Sequence, residues 1–166
     1  MRRALLIVAL CSLLLPSLAS AKDLRKKVGL GFNNNFSAVS SLSVKVGLPT
    51  AKETVNVQLQ GLVGFSLTTT SLETFFAGGR VLLPFVAEDN LNVYGAIGGG
   101  YVRFSTATAA ARVQAVIGAE FFMFGLERLG FSAEFGVNLD VAPGVFEIGT
   151  TSGTAASVGV HYYFGK

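Results

Sequence analysis

Phe131-Ser-Ala-Glu-Phe-Gly-Val-Asn-Leu-Asp-Val141 alternates without a break. Phe131, Ala133, Phe135, Val137, Leu139 and Val141 fall on one side, and Ser132, Glu134, Gly136, Asn138 and Asp140 on the other. Successive side chains of an extended chain leave opposite faces of a sheet, so this stretch predicts a strand with one oily and one polar face.

The same period of two recurs outward from it, giving eight segments at roughly 27–35, 41–48, 54–67, 74–86, 91–104, 112–124, 131–141 and 154–164. Their oily faces, entered at Val28, Leu42, Val55, Phe75, Leu91, Val113, Phe131 and Ala156 and followed to Phe32 on the first segment and Tyr101 on the fifth, carry no charge, amide or hydroxyl apart from the Tyr101 and Tyr162 phenols. The opposite faces hold Asn33, Asn56, Gln58, Gln60, Asn92, Gln114 and Asn138, the charges Lys45, Arg80, Glu120, Glu134 and Asp140, and many glycines.

Composition constrains how such strands can be arranged. Hydrophobic residues make up 51% of the chain and charged ones 14%, where a soluble domain carries about 25% charged residues. Beyond residue 21 no apolar run approaches the ~20 residues of a membrane helix. Alternation alone leaves open which face is outside, since a lipocalin-like barrel in water alternates too. Size decides: an eight-stranded barrel has room inside only for its own side chains, and the small face is the polar one, with Gly29, Gly31, Gly47, Gly64, Gly78, Gly98, Gly100, Gly118, Gly136 and Gly159. The bulky Phe, Leu, Val and Ile face is therefore expected outside, where water would meet an apolar patch far larger than monomers expose. The predicted fold is all-β: an eight-stranded antiparallel up-and-down transmembrane β-barrel, closed because an open sheet edge is not viable in hydrocarbon.

Aromatic residues of the oily face gather near segment ends, at Phe32, Phe65, Phe75, Phe85, Tyr101, Phe121, Phe131, Tyr162 and Phe164, as interfacial girdles would. Tight links at Glu88-Asp89-Asn90 and Gly125 to Gly130, together with Leu48 to Glu53, are expected to be periplasmic turns. The looser links, the longest from Ala142 to Gly153, are expected to face outward from the cell, with both termini in the periplasm.

The first residues have a different character. Arg2 and Arg3 precede an apolar run from Ala4 to Leu15, Pro16 interrupts it, and Ala19-Ser20-Ala21 supplies small residues for cleavage. Residues 1–21 are read as a cleaved secretory signal and 22–166 as one barrel domain beginning at Lys22. Cys11, the single cysteine, lies inside that run without the small residue a lipoprotein signal needs, so no lipid anchor, disulfide or thiolate site is expected. Removing Arg2 and Arg3 brings the charges close to balance, which gives no basis for a nucleic-acid partner. The Lys22, Arg25, Lys26, Lys27 cluster reads as a solvated N-terminus.

Three stretches resemble the OmpA/OmpX-like family of small outer-membrane barrels: Leu91-Asn-Val-Tyr-Gly-Ala-Ile-Gly-Gly-Gly-Tyr101, the run from Gly118-Ala-Glu-Phe-Phe through Leu129-Gly-Phe-Ser-Ala-Glu-Phe135, and Val158-Gly-Val-His-Tyr-Tyr-Phe164. The last is similar to the C-terminal signal read by the barrel-assembly machinery, although Gly165 and Lys166 follow its aromatic residue. The resemblance implies location in the outer membrane and contact with its lipids and lipopolysaccharide. It also implies passage through periplasmic chaperones and the assembly machinery, and a monomer.

Chemistry-bearing residues are few. The single histidine, His161, lies on the polar face, and the deacylase pattern of a histidine followed two positions later by serine is broken by Tyr163. A site built from His161 with Glu134 or Ser157 is outweighed by a packed interior histidine, so no enzyme is expected. No CxxC, HExxH, phosphate-loop or dinucleotide motif occurs; Gly98-Gly99-Gly100 lies mid-strand, and neither metal nor cofactor is expected. The inward residues Lys45, Arg80, Arg112, Gln114, Glu120, Glu134, Asn138 and His161, with Asp140, are expected to form a mutually neutralising polar network that closes the lumen. Arg103, on the oily parity at the end of its segment, is expected to snorkel or to meet lipopolysaccharide phosphate. The leading expectation is a structural or surface-interaction protein, without a peptidoglycan-binding domain since the chain ends with the last strand. Alternatives are a narrow pore for water, ions or small solutes, and a soluble periplasmic lipocalin-like ligand binder.

Overall fold

In a computed structural model, residues 22–37, 39–50, 56–67, 72–104, 109–151 and 156–165 are described. The signal segment 1–21 and part of the Leu48 to Glu53 turn lie outside the described residues. Among the described residues nine strands follow in order: β1 (Val28–Asn33), β2 (Ser41–Gly47), β3 (Gln58–Leu67), β4 (Leu72–Glu88), β5 (Leu91–Phe104), β6 (Ala110–Phe122), β7 (Leu129–Ala142), β8 (Val145–Thr150) and β9 (Ser157–Phe164). Each neighbour pair is antiparallel, from β1–β2 through β6–β7, and β9 closes the cycle by pairing with both β7 and β1.

The link from Ala142 to Gly153, expected as a long loop, contains a strand instead. Pro143-Gly144 turns the chain in two residues, with Gly144 at φ 76°, as a turn with proline second and glycine third requires. Strand β8 then runs back along β7, Val145 opposite Ala142 and Thr150 opposite Val137. Strand β9 continues beside the other half of β7, Ser157 opposite Glu134 and Tyr162 opposite Leu129. The two pieces lie end to end in the eighth position of an eight-stranded barrel. Residues 152–155, between the two pieces, lie outside the described residues.

Other boundaries shift less. The first segment stops at Asn33 instead of 35, the third starts at Gln58 instead of 54, and the sixth spans Ala110–Phe122. Strand β4 accommodates Pro84, which has no N–H for the ladder, beside a bulge at Phe85.

The two faces point as the size argument requires. Phe135 and Val137 are exposed on the outside, with Ile97, Ile117, Val113 and Leu83, while Ser132, Glu134 and Asn138 are buried within. Sequence-predicted girdle residues Phe32, Phe65, Phe85, Tyr101, Phe121, Phe131, Tyr162 and Phe164 are all exposed, and Phe75 is half-buried against Tyr101. The inner face is less uniformly polar than expected. Leu62, Phe76, Leu82, Tyr94, Val102, Val116, Phe122 and Tyr163 also point inward and form apolar layers, because glycines opposite them leave room.

Candidate functional site in the barrel lumen

Buried side chains occupy the interior at successive levels among the described residues. At the end that carries the termini, residues 22–27 cross the opening: Lys22 N donates to Glu88 O (3.2 Å), and Lys26 N and Gly47 N tie the segment to β2. Asp23, outside the strands, accepts from the Arg25 side chain, which holds its carboxyl below the usual carboxylate range. Leu24, thereby pushed inward, packs with Phe122 and Tyr163.

Above this layer Lys45 Nζ donates to Glu120 Oε1 at 2.9 Å, and the Tyr163 hydroxyl donates to the same carboxylate at 2.9 Å. His161 Nε2 lies 2.7 Å from Ser43 Oγ, and its Nδ1 lies 4.0 Å from Glu120 Oε1. Neither Glu134 nor Ser157 is the histidine's hydrogen-bond partner. Ser43, His161 and Glu120 have the composition of a nucleophile, base and orienting acid, but all three are 0% exposed. Ser43 Oγ also accepts from Gln60 Nε2 at 2.6 Å.

The middle of the lumen centres on Arg80 and Glu134, joined by two parallel bonds of 2.7 Å. Such a fork is the strong form of an ion pair because both oxygens and two N–H groups align in one plane. Arg80 also donates to Gln60 (2.7 Å) and Gln114 (3.1 Å), and Tyr94 and Asn35 donate to Glu134. Gln114 in turn donates to Asn138 Oδ1 (2.9 Å) and to Asn35 O (2.8 Å).

Towards the other end, Arg112 grips Asp140 through Nε (2.7 Å) and Nη2 (2.5 Å) and donates to Phe36 O. The segment after β1 has turned into the barrel mouth. Asn35, Phe36 and Ser37 are buried, and the Phe36 ring packs against Leu62, Phe76 and Val102 beneath the Arg112 guanidinium. Gly78 and Gly100, cross-strand partners, make the slot for that ring: a Cβ on either would lie 2.8 or 2.9 Å from Phe36 Cζ.

All eight predicted network residues therefore meet in one connected interior, three cations against the three anions Glu120, Glu134 and Asp140. Pairing matters because an isolated buried charge would cost several kcal/mol. Sequence reasoning missed Ser43, Tyr94, Asn35, Phe36 and Leu24. Inward parity marks Ser43, Tyr94 and Asn35, the last residue of the first predicted segment, whereas Leu24 and Phe36 come from segments without periodicity. Arg103 is exposed on β5 across from Phe75. Among the described residues no cluster of His, Cys, Asp or Glu is arranged to hold a metal ion. Compared with protein-family models, curated proteins and solved structures, the chain gives no match, so its fold and its filled lumen are read from its own residues alone.

Proposed function

We propose that the chain is an integral outer-membrane β-barrel with a closed lumen, akin to the OmpA/OmpX-like barrels it resembles, serving a structural or surface-interaction role. One observation carries this reading: the large apolar side chains, Phe135, Ile117, Ile97, Leu83 and their neighbours, clothe the outside of a barrel that turns Lys45, Arg80, Glu120 and Glu134 inward. Water would penalise that surface at roughly 25 cal/mol per Å²; acyl chains would not. The aromatic residues near both sets of strand ends fit the two interfaces of a bilayer. Outer-membrane lipid and lipopolysaccharide are then its standing partners, Arg103 facing headgroup phosphates, and the assembly machinery and chaperones its transient ones. A soluble lipocalin-like binder needs the opposite orientation of the two faces, with a cavity where this lumen is packed.

The test is fractionation combined with gel migration. The mature protein is expected in the outer-membrane fraction and to run faster unboiled than boiled; recovery in detergent-free periplasmic extract contradicts the proposal. A narrow pore is the second reading, favoured by the polar side chains that run the length of the lumen. In planar bilayers the closed lumen predicts no current steps, whereas a pore gated by the network predicts steps that grow when Arg80 is removed.

A further inference from the structure

At the barrel end that carries the termini, a groove of about 350 Å³ lies between β9 and the turn joining β6 to β7, lined by Gly125, Leu126, Glu127, Arg128, Leu129 and Tyr162. It opens on the outward face, where Leu129 and Tyr162 are cross-strand partners. The turn itself is unusually oily for a connection: Met123, Phe124 and Leu126 are exposed, Phe124 by 86%. The backbone at Arg128 is fixed, its carbonyl accepting from Tyr163 N at 2.7 Å. Its neighbour Glu127 is engaged by Lys22 Nζ at 3.1 Å. Among the described residues the Arg128 guanidinium has no ion pair and the Tyr162 hydroxyl no hydrogen-bond partner.

We infer that this groove binds one anionic phospholipid, its phosphate against Arg128 and Tyr162 and the first carbons of its acyl chains along Leu126 and Leu129. The inference rests on the membrane reading above. An occupant must match an apolar floor on one side and an unpaired cation on the other, and must sit where the outward belt ends in Phe121, Phe131 and Phe164. A lipid headgroup meets all three conditions. Arginine suits the phosphate because its planar fork offers two donors to two oxygens. Lys26 and Lys27, beside Gly165 at the end of β9, add positive potential that favours a net negative headgroup over a zwitterionic one.

The experiment folds the protein into nanodiscs of equal phosphatidylglycerol and phosphatidylcholine and counts retained lipid by native mass spectrometry. Wild type is expected to keep one phosphatidylglycerol with about fivefold preference, the factor equivalent to the ~1 kcal/mol of one interfacial cation. Arg128→Gln should reduce the preference to about twofold, the remainder coming from Lys26 and Lys27, Arg128→Lys should restore part of it, and Arg103→Gln at the opposite strand ends should leave it intact. Leu126→Asn should weaken retention of either lipid. Excess inorganic phosphate should not displace the lipid, since the acyl contacts are absent from it; displacement would assign the site to free phosphate. Equal retention of both lipids by wild type, or an unchanged preference in Arg128→Gln, overturns the site while leaving the membrane reading standing. Failure of the wild type to enter the discs at all overturns both.

Discussion

Strands β4 to β7 and strands β9, β1 and β2 form two sides of one barrel, yet they are built differently. The first group runs 17, 14, 13 and 14 residues, the second 8, 6 and 7. On the long side the chain turns in two residues at Asp89-Asn90 and at Pro143-Gly144, and nearly all of it becomes wall. On the short side the chain leaves the wall and enters the lumen, first as Leu24 ahead of β1 and then as Asn35 and Phe36 after it. A short wall here goes with an inner plug, and the polar network ties the two together: Arg112 and Gln114 of the long side donate to the carbonyls of Phe36 and Asn35.

The comparison predicts unequal responses to substitution. The largest concerns the fork inside the long side. Arg80→Met leaves the Glu134 carboxylate buried without its counter-ion and should cost about 4 kcal/mol in urea unfolding of the membrane-reconstituted protein. Adding Glu134→Leu should recover part of that loss, short of all of it because Tyr94 and Asn35 then lose their acceptor. A single-variant loss below 1 kcal/mol would mean the fork is not a principal tie. On the short side, Phe36→Ala empties the slot over Gly78 and Gly100 and should cost about 3 kcal/mol. Its conductance should remain nil, because the Lys45–Glu120 and Leu24 layers are untouched; current steps in this variant would make the plug the only barrier. The smallest effect belongs to the β7–β8 hairpin. Gly144→Ala puts a Cβ at φ 76°, costing about 1 kcal/mol, and should speed amide exchange in Val145–Thr150 roughly fivefold while β9 stays protected.

The strands of both sides were legible because a half-buried strand writes its two environments at alternate positions, as Phe131 to Val141 does. The inner plug was not, since Leu24 and Phe36 lie in segments where no period marks which residue turns in. The hairpin strand is hidden for another reason: Phe146 and Ile148 alternate with Glu147 and Gly149 after a Pro-Gly turn, but the stretch is too short for its period to stand out from a loop. For the lumen, parity placed Lys45, Arg80, Arg112, Gln114, Glu120, Glu134, Asn138 and His161 inside, while partnership depended on register. That Ser43 meets His161 follows from barrel closure, which sets β1 between β2 and β9, and no local pattern encodes it.

The proposed contact of the outward face with lipid can be tested at one residue. The chain contains no tryptophan, so Ile117→Trp, at a 63% exposed outward position midway along β6, gives a single fluorescent probe. In vesicles whose lipids carry bromine near the middle of the acyl chain, the account predicts blue-shifted emission that is strongly quenched. Red-shifted emission, quenched by aqueous acrylamide and indifferent to the brominated chains, would contradict it.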